Sequence, residues 1–289
     1  MPGENLIDLR RRVRSVKNIR QITRAMKFVA ASKLRRAQDR IFAARPYANR
    51  MLAVLNSVAT RVDPACHPLL AERDNQRVML VVVTSDKGLC GAFNANIVRA
   101  AVRYIESDAA NQQLTLALLG KKGVDWFAKR SWPIKHQYLN VSSSVSYSYA
   151  QEIASAIVDY YVKSELDSVQ LVYNEFKSVI QQRLVIEPLL PIRRLEPKDR
   201  EVFLDYIYEQ PPGIIFDRLL PKHVETQIFR AMLESEAAEH GARMTAMDSA
   251  TRNAEDMISS LTLRMNQMRQ ASITKELIEI VSGAEALAE

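Results

Sequence analysis

The stretch that decides the fold is PKHVETQIFRAMLESEAAEHGARMTAMDSATRNAEDMISSLTLRMNQMRQASITKELIEIVSGAEA, residues 221–286. It has no proline after Pro221 and only two glycines, so it predicts one very long helix. At a rise of about 1.5 Å per residue this helix would be roughly 100 Å long, longer than a compact domain of this size is wide. Part of it is therefore expected to project.

Apolar or small residues recur along this helix in alternating steps of four and three, the pattern of a coiled-coil seam. Alanine, serine and threonine fill the predicted seam instead of leucine, which would let two helices approach closely and form a thin, stiff rod. The predicted seam residues are Val224, Ile228, Ala231, Ser235, Ala238, Ala242, Thr245 and Ser249.

Residues 4–60 predict a second long helix, with an irregular join in its apolar pattern near Val29–Leu34. Pro46 predicts a kink, or a stop and restart, near Arg45. The apolar positions are Leu6, Leu9, Val13, Val16, Ile19, Ile22, Met26, Val29, Leu34, Ala37, Ile41, Ala44, Ala48, Leu52 and Leu55.

Charge is distributed unevenly between the two ends of the chain. Residues 1–50 hold fourteen Lys or Arg and three Asp or Glu, a charge of +11, whereas residues 214–289 sum to −4. This asymmetry predicts that the two ends pair as an antiparallel coiled coil. The alternative is a coiled-coil scaffold with an α/β head that binds nucleic acid through its basic arm. The arginines of residues 10–40 surround the helix, and only Phe28 and Phe42 lie among them, which disfavours that alternative.

The middle of the chain predicts an open α/β sheet. VMLVVVT, residues 78–84, is a continuous β-branched run typical of a buried parallel strand. Asn94 is expected to cap the helix that follows, and residues 61–77 to form a loop. Further strands are predicted at 114–120, 134–139, 168–176, 179–192 and 201–209, with helices at 94–107, near 121–130 and at 150–163. The strands 168–176 and 179–192 are expected to form a hairpin.

No residue pattern points to catalysis, a cofactor or a metal in this chain. Neither GxGxxG nor GxxxxGK[ST] is present, so the glycines after the strands predict structural turns. Cys90 lacks the frame of a nucleophile elbow and is better explained as a buried thiol, and Asp86 as a cap of its turn. The two cysteines, Cys66 and Cys90, are too few for a disulfide framework and predict reduced thiols.

The last turns are crowded with apolar residues that nothing later in the chain could cover, so they are expected to bind another protein. A collar of polar side chains precedes them: Arg264, Arg269, Gln270, Ser272 and Thr274. The apolar residues are Ile273, Leu277, Ile278, Ile280, Val281, Ala284, Ala286 and Leu287.

Three motifs resemble the γ subunit of F-type ATP synthases. They are TRAMKFVAASKLRRAQ (23–38), SDKGLCGAFN (85–94), and RQAS followed by ITKELIEIVSGAEA (269–286). The resemblance implies an α/β protein in which a long antiparallel coiled coil of the N- and C-terminal helices joins a central, open, Rossmann-like α/β domain. The expected domains are residues 1–60, 61–212 and 213–289, with the first and last paired.

The resemblance also implies a central rotor shaft that carries no active site of its own. Its expected partners are the hexamer of α and β subunits, the ε subunit and the membrane ring of c subunits. Hexamer contacts are implied at Met26, Arg269, Gln270, Thr274, Glu276 and Glu279, and an apolar bearing at Ile280, Val281, Ala284 and Leu287. The turn of Lys87, Gly88, Cys90 and Gly91 would belong to the base domain.

The same comparison bears on location. No run of 18 apolar residues occurs, and the N-terminus lacks the apolar core of a signal peptide. The first residues are expected to be mature sequence, not a transit peptide, which favours a bacterial protein on the cytoplasmic face of the cell membrane. No insertion with a cysteine pair interrupts the α/β region, so dithiol regulation of the photosynthetic kind is not expected.

Overall fold

One mixed sheet organises the middle of the chain in the computed structural model, which describes residues 5–59, 67–141, 145–179, 181–192 and 211–285. Its strands lie in the order β3-β2-β1-β4-β5, and all neighbours are parallel except β4 and β5, which form the predicted antiparallel hairpin. The strands are β1 (Arg77–Val83), β2 (Gln113–Leu119), β3 (Ile134–Tyr138), β4 (Ser168–Phe176) and β5 (Gln182–Leu190).

Two very long helices begin and end the described chain, and three shorter ones lie between the strands. They are α1 (Leu6–Ala59), α2 (Phe93–Ser107), α3 (Lys121–Phe127), α4 (Tyr147–Val162) and α5 (Pro212–Glu285). The predicted fold class, an α/β protein with long terminal helices, is confirmed. The predicted strand at 201–209 lies outside the described residues.

The chain divides into two compact units. The two-helix unit comprises residues 5–29 and 244–285, and the sheet unit comprises the described residues from Ala30 to Arg243. Helices α1 and α5 contribute to both. No helix in the described ranges is both long and apolar enough to span a bilayer.

The sheet unit has a core on both faces of β1. Val78, Leu80 and Val82 pack in one cluster with Phe93 and Ile97 of α2 and with further residues of β2. Met79 and Val81, which point the other way, are also fully buried. This two-sided burial is what the unbroken apolar run of residues 78–84 predicts for a parallel strand.

The predicted seam residues of α5 from Val224 to Ala238 are buried, but part of the seam packs against the sheet and its last two residues are exposed. Ala238 belongs to the core cluster of the sheet, and Ala242 packs against that cluster. Further along, Thr245 and Ser249 are exposed, whereas Met247 and Ala254 are buried. Small residues at four–three spacing suit close approach to a sheet as well as to a helix, so the pattern alone cannot tell which neighbour is packed.

The buried face of α1 also differs from the prediction. Burial recurs in alternating steps of four and three, and the same phase continues through Val29–Leu34, so the predicted irregular join is absent. Ile19, Ile22 and Val29, which were predicted to belong to the apolar stripe, are exposed. The buried residues of the stripe are Leu9, Val13, Val16, Thr23, Ala30, Leu34, Ala37 and Ile41.

Two prolines lie inside helices at positions where the sequence predicts an interruption (Pro46) or the start of a helix (Pro221). α1 runs through Pro46 without stopping, so the predicted stop and restart is wrong. α5 begins at Pro212, nine residues before the predicted start, and contains Pro221. A proline at the first helical position costs little, because the N–H that it lacks would have no partner inside the helix. Packing of both helices in the sheet unit offsets the backbone hydrogen bonds that the internal prolines remove.

Candidate partner-binding site

The two-helix unit pairs α1 with α5 in antiparallel orientation. Thr251 Oγ1 donates a hydrogen bond to Thr23 Oγ1 at 2.9 Å, and Lys27 Nζ lies 2.5 Å from Asp248 Oδ1. A step of four residues toward the C-terminus of α1 thus corresponds to a step of three residues toward the N-terminus of α5, as antiparallel pairing requires. These contacts, with Arg40–Glu236 in the sheet unit, bear out the prediction from charge that the basic and acidic ends meet.

The outward surface of the two-helix unit is apolar to an unusual degree. Of the twenty large hydrophobic side chains that are exposed among the described residues, twelve belong to this unit. Five lie on α1 and seven on α5: Ile7, Ile19, Ile22, Phe28, Val29, Met257, Leu263, Ile273, Leu277, Ile278, Ile280 and Val281. A surface of this kind is typical of a protein–protein contact, because exposed apolar side chains gain free energy when a partner covers them.

The last part of α5 has no helix beside it among the described residues. The register set by Thr23 and Thr251 places Leu6, the first residue of α1, opposite Met268. Every described side chain from Arg269 to Gly283 is exposed. We call residues 269–285 the tail segment. None of the described residues buries it.

The predicted polar contact residues all lie on the tail segment, apart from Met26. Arg269, Gln270, Thr274, Glu276 and Glu279 are exposed. They make local contacts within α5: Thr274 donates to Gln270 O, Ser272 donates to Glu276, and Lys275 lies 3.7 Å from Glu279. Exposed pairs of this type contribute little to stability, so the side chains can exchange these contacts for a partner's groups at small cost.

The predicted bearing residues are only partly visible. Ile280 and Val281 are 67% and 62% exposed, the level expected of apolar residues that another protein must cover. Ala284 lies in the last described turn of α5, and Leu287 lies outside the described residues. Their role in a bearing stays a prediction.

Met26 does not lie with the other predicted contact residues. It is half-buried and falls between Thr23 and Lys27, so it lies at the level of Asp248 on α5. Twenty-one residues separate that level from Arg269, which is roughly 30 Å along a helix. Met26 and the tail segment therefore form two contact levels and not one site.

The turn after β1 has a backbone that its sequence explains. Leu89 and Gly91 both have positive φ, 61° and 57°. Glycine adopts this conformation freely, whereas leucine does so at a cost. Asn94 does not cap α2 as predicted: the N-cap position is Ala92, without a side-chain hydrogen bond. Asn94 instead accepts from Ser85 N at 3.0 Å, and its side chain reaches Ser85 Oγ, which draws the two ends of the turn together.

Arg243 of α5 binds this turn. Its Nη2 donates to Gly88 O at 3.1 Å and to Lys87 O at 3.3 Å, and lies 2.6 Å from Glu239 Oε1. The side chains of Arg243 and Glu239 are only 11% and 4% exposed. A charge-assisted network this deep is costly to break, because either group left alone would be a buried charge. The turn of Lys87, Gly88, Cys90 and Gly91 is thus fixed to α5 within the sheet unit.

Cys90 and Asp86 have structural environments. Cys90 is buried in the core cluster, and burial raises the pKa of its thiol, with Ser85 as a weaker opposing influence. A buried neutral thiol is a poor nucleophile. Asp86 Oδ1 accepts from Lys121 N and from Asn140 N, each at 3.0 Å, so it joins the start of α3 to the residues after β3.

The glycines after β2 serve close packing. Gly120 has φ of 92°, and a Cβ there would lie 2.2 Å from Thr84 O. Gly123 N donates to Thr84 Oγ1 at 2.9 Å, and a Cβ on Gly123 would lie 2.8 Å from the same oxygen. The prediction of a structural turn at residues 120–123 agrees with this packing.

Several residues with clear structural roles were missed by the sequence reasoning. Thr23, Thr251, Lys27 and Asp248 join the two helices, and Arg243 joins α5 to the turn. These first four residues are polar, and apolar neighbours such as Ile22 fit the predicted stripe, so their residue types do not indicate a contact between the helices. Nothing in the sequence marked Arg243 among forty lysines and arginines.

The two units together define a class of protein: a chain with an α/β sheet unit and a two-helix unit whose apolar surface calls for a partner. A family model described as ATP synthase matches residues 5–287. Proteins named ATP synthase gamma chain from Geobacter metallireducens and Solibacter usitatus are 50% and 51% identical to this chain. Each alignment covers 98% of this chain and 99% of the relative. The chain belongs to the ATP synthase gamma chain family.

Solved structures agree with this assignment. The central stalk and c-ring structure of Tetrahymena thermophila mitochondrial ATP synthase contains a chain with a TM-score of 0.60 and 26% identity. The match covers 79% of this chain and 99% of that one. A chain in the Euglena gracilis mitochondrial ATP synthase structure has a TM-score of 0.66 over 98% of this chain and 94% of that one. Its 20% identity supports the fold alone.

Proposed function

We propose that this chain is the central rotor shaft of an F-type ATP synthase and couples ion-driven rotation of a membrane ring of c subunits to ATP synthesis. The single observation that carries the proposal is the tail segment. It extends α5 beyond the start of α1, and every described side chain from Arg269 to Gly283 is exposed. A helix end with Ile280 and Val281 bare is suited to turn inside a sleeve.

The sleeve in this proposal is the hexamer of α and β subunits. Apolar residues on the outer surface of the two-helix unit would meet its apolar lining, and the arginines of α1 would meet acidic loops on β. Arg10, Arg11 and Arg14 are exposed. Such contacts are salt-sensitive and allow the shaft to turn, since no single ion pair in water is worth much.

The proposed contacts with α and β lie at separate levels along the shaft. Met26 would face the moving loops of α and β at one level, and Arg269, Gln270, Thr274, Glu276 and Glu279 at another. Ile280, Val281, Ala284 and Leu287 would form the bearing. Each β site would pass through its binding states as the unequal faces of the shaft turn past it, so the chemistry belongs to β and this chain supplies no catalytic group.

The remaining assignments follow from the same proposal. Residues 61–212 would form the base domain between the paired ends 1–60 and 213–289. That domain, including the turn of Lys87, Gly88, Cys90 and Gly91, would bind the ε subunit and rest on the c-ring. The complex would be peripheral on the cytoplasmic face of a bacterial membrane. Protons are the proposed coupling ion.

Complementation tests the proposal. Membranes that lack the γ subunit are supplied with the full chain, with a chain truncated after Gln270, or with Gly283→Ala as the matched control in the tail. We expect the full chain and Gly283→Ala to co-purify with α and β and to restore ATP-driven proton pumping. The truncated chain should keep the sheet unit folded and lose most of the pumping.

Two outcomes would count against the proposal. If the full chain co-purified with no α or β subunit, a shaft role would be wrong. Alternatively, the truncated chain could pump as well as the full chain, which would show that the tail segment is not a bearing. Salt-sensitive DNA binding without α and β would favour the scaffold.

A further inference from the structure

The packing between α1 and α5 in the two-helix unit is polar at one level. Thr23 is buried although it carries a hydroxyl, and Thr251 reaches it across the interface at 2.9 Å. Thr23 in turn donates to Arg20 O at 3.1 Å, so one chain of hydrogen bonds runs from α5 through Thr23 into the backbone of α1.

The rest of this interface specifies register weakly. Half-buried or buried residues on α5 recur in alternating steps of four and three: Met247, Thr251, Ala254, Ile258, Leu261, Met265 and Met268. The facing residues Leu9, Val13 and Val16 of α1 are all aliphatic. Methionine adapts to many shapes, and a heptad repeat looks alike after a slip of seven residues.

We propose that the Thr23–Thr251 hydroxyl pair fixes the axial register of the two helices. In the native register Thr251 Oγ1 donates to Thr23 Oγ1, and Thr23 donates to Arg20 O of its own helix. After a slip of one heptad, Thr23 would face Met244 or Ile258, and Thr251 would face Val16 or Ala30. The buried Thr23 oxygen would then lie against an apolar side chain and lose its cross-helix donor, while Thr251 would keep only Met247 O of its own helix.

The nearby ion pair cannot perform this task alone. Lys27 lies 2.5 Å from Asp248, which also pairs with Arg252 at 2.7 Å. A slip in one direction would bring Lys27 opposite Glu255, another carboxylate, so that ion pair could be replaced. The hydroxyl pair has no substitute in either direction. Of these two cross-helix pairs, the hydroxyl pair alone loses its partner in both slipped registers.

Register has a consequence for the proposed shaft. A slip of one heptad would displace the tail segment by roughly 10 Å relative to α1, because each residue rises about 1.5 Å. The level of Met26 and the level of Arg269 would then no longer match the surfaces that they contact. Thr23 and Thr251 are thus positioning residues that act through the placement of other side chains.

Disulfide cross-linking of the purified full-length chain tests the register directly and does not depend on the proposed function. In a background with Cys66→Ala and Cys90→Ala, the pair Val16→Cys with Ile258→Cys reports the native register. The pair Val16→Cys with Met265→Cys reports the slipped one. These pairs follow from the antiparallel register that Thr23 and Thr251 define.

The key variant is Thr23→Val with Thr251→Val, which conserves shape and removes both hydroxyls. We expect the ratio of slipped to native cross-link to rise about tenfold, the effect of losing one buried cross-helix hydrogen bond on an equilibrium. The single variant Thr251→Ser, which keeps this hydroxyl and leaves Thr23 unchanged, should show the native ratio.

Thr262→Val is the matched control. Thr262 Oγ1 donates to Ile258 O at 2.7 Å, and Thr251 Oγ1 lies at the same distance from Met247 O, but among the described residues Thr262 makes no hydrogen bond to α1. It should leave the cross-link ratio unchanged. An unchanged ratio in the double valine variant, or an equal rise in Thr262→Val, would overturn the proposal.

Discussion

The sheet unit and the two-helix unit bury apolar residues in opposite ways. In the sheet unit, β1 is covered on both faces, and the polar groups near its end bind one another through Thr84, Ser85 and Asn94. In the two-helix unit the seam contains hydroxyls and an ion pair, and isoleucines such as Ile22 face outward. The apolar side chains of β1 are covered within the sheet unit, whereas the outward isoleucines of the two-helix unit stay exposed.

This difference shows that apolar content does not by itself locate a core. Ile19, Ile22 and Val29 are as apolar as the buried residues of β1, yet the helix phase turns them away from α5. Their exposure has a cost in solubility, which is justified only if a partner covers them. The stability of the sheet unit should therefore respond to internal substitutions, and the two-helix unit should respond mainly in assembly.

The largest effect is expected at Gly120 in the sheet unit. In Gly120→Ala the new Cβ would lie 2.2 Å from Thr84 O, at a φ of 92° that alanine rarely adopts. We expect a loss of about 4 kcal/mol or more in the free energy of unfolding, with little folded protein recovered. Circular dichroism and thermal unfolding of the purified chain would measure it.

Gly283→Ala is the control for that substitution. A Cβ at Gly283 has no atom within 4 Å and lies on the exposed tail segment. Alanine favours a helix over glycine by about 1 kcal/mol, so this variant should be as stable as the original or slightly more so. Equal destabilisation by both variants would mean that the close approach of Gly120 to Thr84 is not what requires glycine.

A substitution that creates a cavity in the core of the sheet unit tests the same difference between the two units. Leu118→Ala in β2 removes a fully buried side chain and should cost about 3 kcal/mol. Ile22→Ala removes one that is 58% exposed and should change stability by less than about 0.5 kcal/mol, while it weakens binding to α and β subunits. Amide hydrogen exchange would show faster opening of the sheet strands in the first variant only.

The converse pattern would refute the distinction between the units. If Ile22→Ala lowered the stability of the isolated chain as much as Leu118→Ala, the outward residues of α1 would have to be packed inside the chain. If Ile22→Ala left assembly unchanged, its exposure would have no functional meaning.

Much of the sheet unit could be predicted from the sequence, because each strand has its own pattern. The predicted strand at 168–176 coincides with β4, and the other predicted strands within the described ranges differ by a few residues at each end. Unbroken apolar runs bounded by glycine turns leave few alternatives. The existence of both long helices was equally clear from the absence of breakers.

The facing of the long helices could not be predicted, for a physical reason. α5 in the sheet unit packs on more than one side, so several residue series are buried at once, and Ala238 fits the four–three pattern while it packs against the sheet. In α1 the sequence favours Ile22 as a core residue over Thr23, yet a hydroxyl with a partner is buried and an isoleucine is left exposed. Only the pairing of the helices decides this.

The candidate site was predictable as a set of exposed residues but not as a geometry. The tail segment is exposed from Arg269 onward, but nothing in the sequence said that α1 begins opposite Met268. Arg243 was not recognised, because its role depends on two carbonyl groups of a turn 155 residues away. Contacts to backbone carbonyls leave no mark on the residue type of the partner.

An effect smaller than those of Gly120→Ala and Leu118→Ala is expected at His240, which lies in the sheet unit on α5. Burial, assisted by Arg243 and Lys33, lowers the pKa of its imidazole to about 4, so the folded chain holds it neutral. Between pH 6.5 and about 4 the unfolded chain takes up a proton that the folded chain does not. As the pH falls through this range, His240 should therefore lower the free energy of unfolding by up to about 1.4 kcal/mol per pH unit. This effect should be absent above pH 7.

His240→Asn should flatten that pH dependence, and thermal unfolding at pH 7.5 and 5.0 would measure the change. Other titrating groups contribute equally to both proteins, so the difference between the two slopes isolates His240. His136→Asn is the matched control, because burial and Lys135 also lower the pKa of His136, but that side chain is only half-buried whereas His240 is buried. If the two variants flattened the pH dependence equally, burial on α5 would not be the cause. A steeper dependence in His240→Asn would mean that the folded sheet unit favours the charged imidazole, through Glu239 beside Arg243.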